Sequence, residues 1–148
     1  MRCAILKRAG QERGQALIEA TFTLPLILLV CVSIFEFGRA YQCWQVLTNA
    51  AREGARIAVL PGVTDEAVTS RIQAYLTAGQ LTEPASASVA IDRNNEISIG
   101  TGTTSASTIT VSYPFEFMVL QPVARLVVSG STVGAPITMT ASTTMRNE

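Results

Sequence analysis

The apolar positions of this chain follow three different spacings. The first is a nearly unbroken apolar run that begins after Gly14 and ends at Phe35, with one carboxylate, Glu19, near its start. As a helix, a run of about 20 residues at ~1.5 Å rise per residue spans the ~30 Å hydrocarbon core of a bilayer. A charge at that depth is costly, so Glu19 reads as a residue kept for a task. Pro25 falls inside the run, where proline frees a carbonyl from the helix ladder. Thr21, four residues earlier, is the natural candidate to satisfy it. The expected transmembrane segment is 15–37.

The second spacing is helical. Nothing breaks a helix from Gly38 to Leu60, and Pro61-Gly62 ends it. Ala50, Gly54 and Ala58 form a row of small residues, with Ala51 and Ala55 beside it, that lets another surface approach closely. That surface is either the chain's own sheet or a neighbouring subunit. Tyr41 and Trp44 sit just past the span, where an aromatic belt is expected, and Glu36 and Arg39 are spaced to pair at its edge. Thr64 then caps a shorter helix, 64–78, with Asp65 and Glu66 in its first turn. Val68, Ile72, Tyr75 and Leu76 mark its apolar face and Gly79 closes it.

Beyond Pro84 the spacing changes to two. Val89 and Ile91, then Ile97 and Ile99, predict a hairpin that turns at Asp92-Arg93-Asn94-Asn95. Gly100 to Ser107, rich in Gly, Thr and Ser, predicts a loop. Ile109, Val111, Tyr113, Phe115 and Phe117 alternate as the clearest strand, which Pro114 assigns to a sheet edge. Leu120, Val123, Ala124 and Val127 suggest a short turn of helix, and Ile137, Met139 and Ala141 a final strand. The predicted fold class is α+β. A long N-terminal membrane helix continues into a small exported domain, 38–148, with an antiparallel sheet in 86–148 covered by helices 38–60 and 64–78.

Charge adds a direction to this plan. The eleven basic and eleven acidic residues cancel over 148 residues, but 1–14 holds four of the basic and one of the acidic. The remainder is slightly acidic and offers no basic stripe for nucleic acid. Basic residues before the span favour a cytoplasmic N-terminus. A cleaved secretory signal would have a shorter apolar core and a small-residue site after it, and Ser33 to Gly38 offers none. There is no histidine, which removes the commonest general base and metal ligand. Cys31 and Cys43 would lie about 18 Å apart on one helix, too far for a bridge, so no intrachain disulfide is expected. Cys43 is read as a free thiol, with a bridge between two copies as the alternative.

Gly14-Gln15-Ala16-Leu17-Ile18-Glu19 resembles the processing site of type IV prepilins and pseudopilins. In those proteins a prepilin peptidase cuts after the glycine and leaves glutamate fifth in the mature chain. Leu24-Pro25-Leu26, Phe35-Glu36-Phe37-Gly38-Arg39-Ala40-Tyr41 and Leu47 to Arg56 resemble the TadE-like family, minor pseudopilins of the Tad/Flp tight-adherence pilus systems. The resemblance covers 14–62 and fades beyond. Many members carry an aromatic residue after the glutamate, where this chain has Ala20.

The resemblance implies a cytoplasmic leader, 1–14, and cleavage between Gly14 and Gln15. It also implies a bacterial inner-membrane location with the C-terminal domain periplasmic. The implied partners are the prepilin peptidase, other pilin and pseudopilin subunits and the inner-membrane assembly platform. The residues add their own physics. Cleavage would leave an α-ammonium on Gln15, and Glu19, one turn deeper, could pair with it or with a neighbour's and so set subunit register. No constellation for catalysis, cofactor or metal is present, so a structural assembly component is expected rather than an enzyme. The competing reading is an unprocessed single-pass membrane protein whose outer β-domain binds a ligand or surface. It needs neither Gly14 nor Glu19.

Overall fold

The computed structural model describes the backbone of residues 3–100 and 102–147, with side chains apart from those of 3–13, 126 and 127. The fold is α+β with a pilin-like arrangement. One helix, α1 (Cys3–Ala58), runs the length of the molecule. A second, α2 (Asp65–Ala78), folds back beside its upper end. A short 3-10 turn, Pro84–Ser86, leads into β1 (Ser88–Ile99), β2 (Gly102–Phe115), α3 (Leu120–Val127) and β3 (Ile137–Arg146). The sheet is antiparallel in the order β1-β2-β3.

The core lies between the sheet and the upper half of α1. Cys43, Leu47, Ala50, Ala51, Ala55 and Ala58 are buried along one stripe of α1. They meet Val68, Ile72 and Leu76 of α2 and Ile109, Val111, Tyr113 and Phe115 of β2. Each fully buried Leu, Ile or Val contributes about 1.5–3 kcal/mol by leaving water. Alanines on α1 bring its axis close to both neighbours, and Gly54 brings it closest. A Cβ at Gly54 would stand 2.6 Å from Ile72 Cδ1 and 3.4 Å from Ile109 Cγ2.

Polar side chains tie the ends of this core together. Glu53 of α1 accepts from Arg56 one turn on and from Arg71 of α2, at 2.8–3.1 Å. Hydrogen bonds from Arg56, then Arg71, hold its carboxyl at about 2, below the usual carboxylate range. Arg93 reaches from β1 to the turn between the helices. Its guanidinium donates to the Ala58 and Val63 carbonyls at 2.7 and 2.9 Å and to Asp65 Oδ1 at 2.7 Å. It thereby satisfies a carbonyl that the end of α1 leaves open.

Several sequence expectations change here. Asp92 to Asn95 is a bulge within one long strand, not a hairpin turn. Asp92 pairs with Thr108 and Asn95 with Ala106, leaving Arg93 and Asn94 opposite Ser107 alone. The four polar residues look like a turn, but Arg93 belongs to the helices. The hairpin closes instead at Gly100 to Gly102, and the Ser/Thr-rich stretch after it is strand.

The hydroxyls of that sheet form cross-strand pairs on its outer face. Thr108 meets Thr144, Thr110 meets Ser142 and Ser112 meets Thr140, at 2.8–3.1 Å. β2 is the central strand, which Pro114 argued against. Pairing with β1 stops at Ser112, so Pro114 lies where β2 has only β3 beside it. Strand β2 also ends at Phe115, one alternation earlier than expected.

Helix α1 ends at Ala58, and α2 is capped as expected by Thr64, whose hydroxyl accepts from Ala67 N–H. Gly79 closes α2 without a left-handed conformation, which Gln80 adopts at φ 56°. The glycine is required because the side chain of Val46 fills the space of a Cβ.

Replacing Gly54 by Leu forces bulk into the Ile72–Ile109 contact. We expect a loss of about 1–3 kcal/mol, read as a lower denaturation midpoint of the full chain held in nanodiscs. Unchanged stability would mean that this contact is looser than the distances state.

Candidate functional site

From Gln15 to Cys31 the side chains of α1 are mostly apolar and exposed. The helix is long and apolar enough to cross a membrane, and none of its most apolar stretch is buried by the rest of the protein. Leu17, Ile18, Phe22, Leu24, Leu26 and Ile34 point outward around its whole circumference. Such a surface is stable only in a solvent as apolar as itself, which fits membrane anchoring.

The helix runs continuously through Pro25. Thr21 does not serve the carbonyl that Pro25 frees, which is its own. Its hydroxyl donates back to the Leu17 carbonyl at 2.8 Å, as Thr23 does to Glu19 and Ser33 to Leu29. This is the back-bonding by which hydroxyl side chains hide their polarity along a helix.

Gly14, Gln15 and Glu19 lie in order on this exposed helix, and nothing stands within 4 Å of a Cβ built at Gly14. Glu19 is exposed at the start of the apolar run. Leader residues Arg2, Cys3, Lys7, Arg8, Glu12 and Arg13 lie outside the residues whose side chains are described. Ala50, Gly54 and Ala58 lie some 50 Å from Gly14 or beyond, at ~1.5 Å per residue. They are buried against the chain's own α2 and sheet. Tyr41 and Trp44 are exposed just past the apolar run, their rings 6.3 Å apart.

The residue that sequence reasoning undervalued is Glu36. The i, i+3 spacing pairs it with Arg39, and that contact exists at 3.3 Å. Its main partners, however, come from more than 80 residues away. Met118 N–H donates to both carboxylate oxygens at 3.2 Å and Val119 N–H to Oε1 at 3.0 Å. Glu36 is 3% exposed although it is one residue past the apolar run. Val119 is the N-cap of α3 and has no capping side chain of its own, so Glu36 supplies the acceptor from another element. A carboxylate there also faces the positive end of the α3 dipole.

A signal for this role was present in the sequence. Seven residues back from buried Cys43, and eleven back from Leu47, lies Glu36, on the same face of α1. Aromatic packing reinforces the junction. Phe37 meets Phe117 edge to face at 6.2 Å, Phe117 meets Phe115 at 5.2 Å, and the Arg39 guanidinium lies 5.4 Å from the Phe115 ring centre.

A cleft of about 330 Å3 opens above this junction, lined among others by Arg39, Cys43, Gln80, Glu83, Tyr113 and Glu116. Cys31 and Cys43 are both free thiols. Burial pushes the Cys43 thiol up, against the opposing pull of Arg39, which makes it a poor nucleophile. Its burial also withholds it from a second copy. Among the described residues no group of three or more His, Cys, Asp or Glu side chains could hold a metal ion.

The geometry defines a class first: an α+β protein whose domain is threaded by its own apolar N-terminal helix. Comparison with protein families then makes it more specific. Residues 14–56 match the TadE-like protein family. That match takes in Gly14, Glu19, the apolar run, Glu36 and the row from Ala50 to Gly54. It stops before α2 and the sheet. Comparison with curated proteins and with solved structures gave no match.

Truncating Glu36 to Ala leaves the Met118 and Val119 amides without their charged acceptor, a hydrogen bond of the kind that contributes about 1.5–3 kcal/mol. Hydrogen exchange at Met118 and Val119 should accelerate well before exchange in the β2–β3 ladder does. Equal protection in the variant would show that the carboxylate does not hold this segment.

Proposed function

We propose that this chain is a TadE-like minor pseudopilin: a non-enzymatic, membrane-anchored component for assembly of a Tad/Flp type IV pilus, serving adherence or secretion. The observation that carries the reading is Gly14 and Glu19, five residues apart at the start of the exposed apolar helix, inside the segment that matches the family. In this reading 1–14 is a cytoplasmic leader removed by a prepilin peptidase, 15–37 stays in the bacterial inner membrane, and the domain from 38 onward is periplasmic. The partners are other pilin and pseudopilin subunits and the assembly platform in that membrane.

The physics supports a division of labour along α1. Glycine before the scissile bond presents bare backbone to a membrane protease. After the cut, Gln15 carries an α-ammonium and Glu19 a carboxylate about one turn deeper. Two such charges near hydrocarbon are stable when each finds an opposite, and a neighbouring subunit in register supplies it. The small residues Ala50, Gly54 and Ala58 act inside the subunit, seating the domain on the same helix.

The mature membrane form is expected to begin at Gln15, so N-terminal sequencing should read Gln-Ala-Leu-Ile-Glu. Retention of Met1 in cells that make the peptidase would favour the unprocessed single-pass protein instead. Glu19→Gln keeps shape and removes charge. We expect it to be cut normally yet to fail in pilus formation, because one side of a buried pair left alone costs roughly 3–5 kcal/mol. Normal surface pili from that variant would refute the registration role.

A further inference from the structure

We infer that Met118 and Val119, with Val133 from the loop folded back beside them, form a second membrane contact, seated at the headgroup–acyl boundary of the bilayer that α1 enters. This rests on the membrane-anchored reading of α1.

Height is the first argument. Glu36 follows Phe35, the last residue of the apolar run, and its carboxylate holds the Met118 and Val119 amides at 3.0–3.2 Å. The segment is therefore pinned to α1 at the level where the run ends. Val133 is brought to the same level because its neighbour Gly134 presses on the start of α3. A Cβ there would stand 2.7 Å from Gln121 N, and φ at Gly134 is +73°. Phe37 and Phe117, in edge contact, lie beside them.

Exposure is the second argument. Met118 is 66% exposed, Val119 41% and Val133 58%, and on α1 Phe35 is 79% and Phe37 61% exposed. The chain has pinned these apolar side chains in place without covering them. They continue the outward-facing apolar surface of the span, whose cover is lipid.

Backbone satisfaction is the third. Residues seated at a low-dielectric boundary are stabilised when their own amides are bonded. The amide of Val119, the N-cap of α3, and that of Met118 just before it are both bonded to Glu36. Pro122, in the first turn of α3, has no N–H to satisfy. Two contacts, the span and this segment, would fix the tilt of the outer domain over the membrane.

Trp44 is the single tryptophan of the chain, so one reporter can be moved at will. In a Trp44→Phe background, the full chain carrying Met118→Trp, Val133→Trp, Phe22→Trp or Ile99→Trp is reconstituted in phosphatidylglycerol–phosphatidylcholine vesicles with brominated acyl chains. Phe22 reports the span, and Ile99 the hairpin end of the sheet.

We expect strong quenching at Phe22, none at Ile99, and quenching at Met118 and Val133 of about half the Phe22 extent or more. The effective bromines should be those near the carboxyl end of the acyl chain, as for a seat ~5–10 Å into the boundary. Met118 and Val133 reporters left unquenched by bromine but open to aqueous iodide would overturn the contact while a quenched Phe22 reporter keeps the anchor. An unquenched Phe22 reporter would remove both. Reporters shielded from bromine and iodide alike would mean that a second copy or another protein covers the patch, and would overturn the lipid assignment.

Discussion

One helix here must satisfy two solvents. From Ala20 to Phe35 the surface of α1 is apolar all round, and above it only one stripe is, because the sheet and α2 cover one side. A helix can make that transition because all its backbone hydrogen bonds are internal and do not depend on what surrounds it. The side chains carry the change, and Glu36 stands where it happens. Its carboxylate would be costly at the end of an apolar run, yet it is stabilised there by the Met118 and Val119 amides and by Arg39. The same bonds dock the C-terminal half of the domain to the helix, so the domain has a fixed height on its anchor.

The rest of the domain is built onto the same helix rather than hung from it. The alanines and Gly54 make the upper part of α1 thin, and α2 and β2 close onto it from two sides around Leu47. Arg93 then ties the sheet to the end of α1, and Glu53 ties α1 to α2. Displacing α1 would therefore disrupt the core itself. Displacement of the lower helix is thus transmitted directly to the folded domain.

The sheet has a different character on its two faces. Ile109, Val111, Tyr113 and Phe115 face the helices, and paired hydroxyls face outward. With three strands both outer edges are open, but β1 is interrupted by the bulge at Arg93, which breaks the regular row of backbone groups that edge-to-edge association needs.

Much of this was written locally in the chain. The span, the continuation of its helix, the cap at Thr64, the alternation from Ile109 to Phe115 and the motif from Gly14 to Glu19 each depend on residues near one another in sequence. Periodicity and local chemistry therefore determined them, and with them the α+β class and the family resemblance over 14–56. What the tertiary structure decided depends on distant partners. Asp92 to Asn95 has the composition of a turn, and becomes a bulge only because Arg93 finds Ala58, Val63 and Asp65. The row from Ala50 to Ala58 permits any close neighbour, and folding supplied Ile72 and Ile109. Glu36 looked like half of an i, i+3 pair because its main donors lie 82 and 83 residues away. A pattern along the chain can show that a position needs a partner. Only the fold selects which one, because the selection is made by shape and distance between segments that share no local signal.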